Sequence, residues 1–212
     1  MAEHKSPNVR AIIQATEDFW RVCEETNLLA FSDPSHYPEF QQFRDSLNKV
    51  SFDDFFMDPE FRKKIFSKDD AEYLDVLKNQ HIHVMAIFLP PKAVYPIHDH
   101  PQMLGFSKIL KGQALITHYD IVNKENFYKK MSSLKFCELL AKRVERKLLR
   151  DNDIDSIYPN QGNLHSIEAV HRTVILDVMF NYYDDSERHC SFFTVGEQKG
   201  NELYQMFYHS EE

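Results

Sequence analysis

Eight short runs between residues 81 and 195 constrain the fold of this chain more than any other feature. They cover residues 81–89, 94–97, 104–110, 114–122, 154–158, 164–170, 173–180 and 190–195. Each has the length and apolar content of a strand, and turn signals such as Pro90-Pro91 and Lys111-Gly112 separate them. Strands this short and numerous predict a mainly β domain, a jelly roll or closed antiparallel barrel, with Gly112 turning one hairpin. The run 173–180 is apolar on both alternating faces, which predicts a strand covered on both sides. Asp177 stands in its middle. A carboxylate buried there must pair, bind a ligand or take part in chemistry.

Before residue 80 the pattern is helical. Val9, Ile12, Ile13, Phe19, Trp20 and Cys23 recur at helical spacing behind a Ser6-Pro7 start. A second helix, roughly 36–49, carries Phe40, Phe43 and Leu47, and helical turns are expected at 52–56 and 59–66. Phe31-Ser-Asp-Pro-Ser reads as a loop. At 212 residues, with 17 Phe and 10 Tyr, the chain can fill one core. The expected layout is a single domain, 1–212, with a helical segment 1–75 packed on a barrel 78–212. Residues 124–150 are rich in Lys and Arg, and Met131, Leu134, Leu139 and Val144 follow a helical pattern. That predicts a helical insertion, with a long-strand hairpin as the alternative. A net charge of −8 argues against a nucleic-acid partner. No apolar run reaches membrane-span length, and the N-terminus lacks a signal-like apolar core. Cys23, Cys137 and Cys190 form no CxxC pair, as expected in a reducing compartment. The expectation is a soluble monomer in the cytoplasm, with the nucleus as a further location.

His98 and His100 lie two residues apart on a strand and so share a face. His165 follows a turn built from Pro159 and Gly162. Together they offer three neutral imidazoles and no carboxylate, which leaves a bound dication its full charge. Such an ion deprotonates a bound thiol. On an octahedral ion three positions stay open, enough for a substrate sulfur, a second substrate donor and dioxygen. Ligand type alone also admits Zn, Ni or Mn. His81 and His83 repeat the spacing without a downstream partner and read as strand or surface residues. If the hairpin turns at Lys111-Gly112, His118 falls nearly opposite Gly105, a candidate fourth ligand or a support for one. His171-Arg172 and the basic cluster 142–150 read as solvated, the latter with some capacity to dock a peptide.

These residues resemble the paired motifs of cupin barrels. His98, His100 and Gly112 stand at the positions of the first motif, Gly105 stands where that motif carries Glu, and Pro159 to His165 follow the second with one extra residue. Beyond this, the chain resembles the plant cysteine oxidase and cysteamine dioxygenase family of thiol dioxygenases. The likeness runs through Ile87-Phe-Leu-Pro-Pro, Ile97-His-Asp-His-Pro101, Phe106-Ser-Lys-Ile-Leu-Lys-Gly112, Tyr119-Asp120, Gly162-Asn-Leu-His165, Val174-Ile-Leu-Asp177-Val and Cys190. The segment Leu47-Asn-Lys-Val-Ser-Phe-Asp-Asp extends it into the helical part, and residues 124–150 carry it least. The resemblance implies a cupin-like double-stranded β-helix with Fe(2+) on His98, His100 and His165. It implies that both atoms of O2 enter the N-terminal cysteine of a protein or peptide, giving the sulfinic acid and sensing oxygen in the Cys/Arg N-degron route. It also implies that Asp177 contacts substrate or orients a ligand, and that Tyr183 lines the pocket and bonds near the sulfur or dioxygen. Phe192 stands where some relatives carry a tyrosine cross-linked to cysteine, so Cys190 reads as a buried strand residue. Gln102 replaces a residue usually small in relatives and would narrow the pocket mouth. The alternatives are a small-thiol (cysteamine) dioxygenase, a metal-binding cupin without turnover, and a three-histidine cupin acting on another substrate.

Overall fold

The computed structural model describes residues 6–28, 34–56, 58–122, 136–184 and 188–209. Helix α1 (Pro7–Thr26) starts where Ser6 accepts a hydrogen bond from the Val9 amide at 3.2 Å, with Pro7 in the first turn. It ends at Asn27, which adopts the left-handed conformation at φ 50°. Val9, Ile12, Ala15, Phe19 and Cys23 form its buried stripe. After a 3-10 turn (Pro34–His36), α2 (Pro38–Lys49) buries Phe40, Phe43 and Leu47. Two short helices follow, α3 (Phe52–Phe55) and α4 (Pro59–Phe66). Residues 31–33 of the expected loop lie outside the described residues.

Eleven strands make up the rest of the described chain. They are β1 (Glu72–Lys78), β2 (Ile82–Leu89), β3 (Val94–Asp99), β4 (Leu104–Lys111), β5 (Gln113–Ile121), β6 (Phe136–Arg150), β7 (Ile154–Ile157), β8 (Leu164–Ala169), β9 (Thr173–Phe180), β10 (Phe192–Gly200) and β11 (Leu203–His209). One five-stranded sheet runs β1-β2-β9-β4-β7. The other six, β10-β11-β6-β5-β8-β3, close into a barrel through the short β3–β10 pairing. The mainly β expectation is borne out.

The five-stranded sheet has two covered faces because its central strands β2, β9 and β4 carry apolar residues on both. Phe106, Leu176, Val178 and Phe180 point to the helices, where Phe19 and Phe43 meet the Phe180 ring at 5.1 and 5.3 Å. Ile87, Ile109 and Ile175 point the other way, onto Ile116 and Ile167 of the barrel. As expected, β9 is buried along its whole length. Lys108 of β4 lies on the helix side and is 1% exposed. Its ammonium donates to the carbonyls of Leu47, Asn48 and Val50 at 3.0, 2.8 and 2.7 Å. Those carbonyls end α2, where the helix leaves acceptors without intrahelical partners, and three donors meet three acceptors.

Two sequence expectations need correction. Residues 136–150 form strand β6 rather than a helical insertion, paired with β5 on one side and β11 on the other. The segment is full of helix formers, Leu, Lys, Arg and Glu, but two neighbouring strands satisfy its backbone and outweigh that preference. Met131, Leu134 and the rest of 124–135 lie outside the described residues. Residues 72–75, expected to be helical, open strand β1, which pairs with β2.

Candidate metal centre

His98 enters the interior because β3 is irregular just before it. The β3–β8 register shifts between Tyr95 and His98, around Pro96, which has no amide hydrogen for the ladder. The Pro96 carbonyl instead accepts a hydrogen bond from His98 Nδ1 at 2.9 Å. His98 then pairs directly with His165 across the ladder, and His100 sits one pleat further on the same face. All three imidazoles are buried.

Their Nε2 atoms converge, with His165 Nε2 3.1 Å from His100 Nε2 and 3.3 Å from His98 Nε2. Local partners fix two of the tautomers. Pro96 can only accept, so His98 carries its proton on Nδ1. Tyr183 donates its hydroxyl hydrogen to the Asp99 carbonyl, so it accepts from His100 Nδ1 at 3.0 Å. Bare lone pairs on both Nε2 atoms therefore face His165, an arrangement that a shared cation stabilises. Ligands about 2.1 Å from one ion at right angles would stand about 3.0 Å apart, close to the spacing found. Burial, with the neighbouring imidazoles adding for His100 and His165, depresses the pKa of each ring, that of His98 to about 4. Neutral rings are the ligand form. The three residues fit a metal ion.

Among the described residues no carboxylate joins these three imidazoles as a set, and the packing around Gly105 closes the place where one could stand. A Cβ on Gly105 would stand 2.6 Å from Met179 Sδ and 2.7 Å from Ile157 Cγ1. The space that a glutamate would need is filled by those two side chains.

The pocket beside the imidazoles is lined by Tyr95, Ile167, Asp177, Met179, Tyr183 and Cys190, among others. Among the described residues Asp177 does not pair with an Arg or His. Its Oδ1 accepts from the Ser107 hydroxyl at 2.6 Å. Burial, aided by the charge of Asp155 and opposed by that hydrogen bond, pushes its carboxyl up to about 7. Tyr183 is half-buried, and loss of solvent around its hydroxyl holds its phenol protonated well above the usual range. Its hydrogen goes to Asp99 and its oxygen serves His100, so it braces that imidazole rather than reaching into the pocket with a free donor. Cys190 precedes β10 instead of standing in a strand, is half-buried, and lies against the Tyr183 hydroxyl.

His118 is not opposite Gly105. Gly105 pairs with Ile157 and Met179, whereas His118 pairs with Glu145 and His165, because β4 and β5 belong to different sheets. His83 is a buried strand residue bonded to Asp75 at 2.7 Å, and His81 stacks on Trp20. Neither belongs to a possible metal-binding group among the described residues. Gln102 is exposed in a left-handed turn at φ 58°, a conformation that favours glycine. Sequence reasoning missed Asn163, whose side chain accepts from the His100 amide at 3.2 Å and donates to the His100 carbonyl at 2.6 Å. Its place between Gly162 and His165 was the available signal. No helix among the described residues is long and apolar enough to cross a membrane.

Comparison with known proteins agrees with this geometry. Plant cysteine oxidase 1 of Arabidopsis thaliana is 28% identical over 193 residues, 85% of this chain and 64% of that protein. Plant cysteine oxidase 2 of Arabidopsis thaliana is 27% identical over 159 residues, 72% of this chain and 56% of that protein. The probable 2-aminoethanethiol dioxygenase of Dictyostelium discoideum is 26% identical over 135 residues, 62% of this chain and 56% of that protein. The chain thus spans less than two thirds of the length of these relatives. With residues 29–210 matching the family model PCO_ADO, on top of a three-histidine centre that lacks the carboxylate, the chain belongs to the PCO_ADO family.

Proposed function

We propose that this protein is a thiol dioxygenase that holds Fe(II) on His98, His100 and His165 and oxidises the N-terminal cysteine of a protein or peptide to the sulfinic acid. The observation that carries the reading is the convergence of three neutral imidazoles, without a carboxylate, in one pocket with the buried Asp177. The relatives' names point to cysteine and to 2-aminoethanethiol, which share a thiol and an amine two carbons apart. Asp177 is the acidic group on the pocket wall suited to receive that amine while the sulfur lies at the histidines.

Bound Fe(II) would supply the redox chemistry that joins O2 to sulfur. The balance is closed: both oxygen atoms enter the product, sulfur gives up four electrons, and no further reductant is needed. The chain's own part is positioning. Tyr183 and Asn163 hold His100, Pro96 holds His98, and Ile167, Ile175 and Met179 keep the pocket apolar. In this role turnover follows oxygen supply, and the product would feed the Cys/Arg N-degron route.

The test is mass spectrometry of a Cys-initiated peptide incubated with Fe(II)-loaded protein in air and under argon. A gain of two oxygen atoms on the cysteine, only in air, is expected. Oxidation of cysteamine alone would move the assignment to a small-thiol dioxygenase. Oxidation of neither, with iron bound, would overturn it.

A further inference from the structure

Next to His165 stands a second buried cluster that the reaction above does not use. His118 of β5 is directly opposite His165 of β8, with ring centroids 5.5 Å apart. His118 and Asp155 are 2% and 1% exposed. His118 Nδ1 donates to the Gly162 carbonyl at 2.9 Å, and Nε2 donates to Asp155 Oδ2 at 2.9 Å. The other oxygen of Asp155 is 2.8 Å from the ammonium of Lys147, which also reaches Glu145 at 2.7 Å near the surface. A line of charge-assisted contacts thus runs from solvent to the turn that precedes His165.

That turn is a junction. Gly162 has φ 62°, and a Cβ there would stand 3.2 Å from His118 Nδ1, so glycine lets the imidazole close on the chain. The Gly162 amide is held by Asp120 Oδ1 at 2.7 Å. The next residue, Asn163, grips both backbone groups of His100 and the carbonyl of Tyr158. Two residues after Asn163 comes His165, whose Nδ1 is buried with no hydrogen-bond partner among the described residues. A metal-ligating histidine ordinarily has such a partner to fix its orientation. Here the fixing contact falls on the turn instead of the ring.

We infer that His118 and Asp155 form a positioning pair for the metal centre, holding the Gly162-Asn163 turn and through it His165 and His100. The inference rests on the reading of His98, His100 and His165 as metal ligands. Neither His118 nor Asp155 touches substrate in this role.

Co(II) titration of the full chain, followed by visible absorption, tests it without reference to turnover. The variants are the double substitution His118→Leu with Asp155→Leu, which removes both buried charges together, and the isosteric Asp155→Asn. Wild-type protein should bind one Co(II). The double variant should keep a cooperative thermal transition but bind Co(II) roughly ten- to hundredfold more weakly, with a changed absorption band. Asp155→Asn should shift both readouts in the same direction by less, and it carries the test if the double variant does not fold. Wild-type affinity and spectrum in the variants would overturn the inference. So would a second Co(II) in the wild type that disappears in the double variant, since His118 and Asp155 would then be ligands themselves. Failure of the wild type to bind any Co(II) would instead sink the metal-centre reading beneath it.

Discussion

Ser107 and Lys108 are neighbours on β4, yet they open onto two regions that treat buried charge in opposite ways. On the helix side, Lys108 meets three carbonyl oxygens with its three donors. On the barrel side, the carboxyl of Asp177, paired in register with Ser107, accepts from one hydroxyl among the described residues. Both groups are buried to a similar degree. The satisfied charge is a structural clamp, and the under-satisfied one faces a pocket beside three histidines. Full pairing fits Lys108 to an architectural part, and the lighter pairing of Asp177 leaves an acceptor group on the pocket wall.

The sharpest way to break this contrast is Lys108→Met. It would leave three helix-end carbonyls buried without donors, and a loss of about 3–5 kcal/mol in folding stability is expected from denaturant titration. A loss below 1 kcal/mol would mean that the clamp contributes little.

Asp177→Asn should do the reverse, lowering activity on a Cys-initiated peptide more than tenfold while raising stability. The folded chain keeps a proton on Asp177 that the unfolded chain has released, because the carboxyl is raised from 3.8 to about 7. Its contribution to stability is therefore complete below pH 3.8 and is lost as pH rises to about 7. At pH 8 the ionised carboxylate costs roughly 4 kcal/mol as an upper value. The melting temperature of Asp177→Asn should exceed that of the wild type at pH 8, and the gap should close near pH 4. Equal melting temperatures throughout, with full activity, would make Asp177 a mere packing residue.

The smallest effect belongs to the turn beside the site. Gln102→Gly should relieve the left-handed backbone at φ 58° and raise stability by less than about 1 kcal/mol, with activity unchanged. A clear change in KM would restore Gln102 to the pocket mouth.

The convergence of His98, His100 and His165 is legible in the sequence because its signal is local. His98 and His100 share a face by strand periodicity, and His165 follows its own turn. The partners around them are not, because those depend on which strands become neighbours. The Lys111-Gly112 turn suggests that β4 and β5 pair with each other, which would set His118 opposite Gly105, but the two strands turn into different sheets. Strand β6 looked helical because Lys142 to Arg150 suit a helix by intrinsic preference, and only its neighbours β5 and β11 reverse that. Lys108 gave no signal at all. Its acceptors are backbone carbonyls, which every residue possesses.

The Lys108 contact also bears on how such a molecule could be cut or recombined. Its donor belongs to the sheet and its acceptors to residues 47–50, more than fifty positions earlier in the chain. A barrel expressed without those residues would inherit an ammonium stranded on an apolar face, beside the uncovered rings of Phe106 and Phe180. The helical part is thus no detachable accessory. Trading it for another covering segment would demand either the same trio of carbonyls or the loss of the lysine, so the two parts are bound to change together.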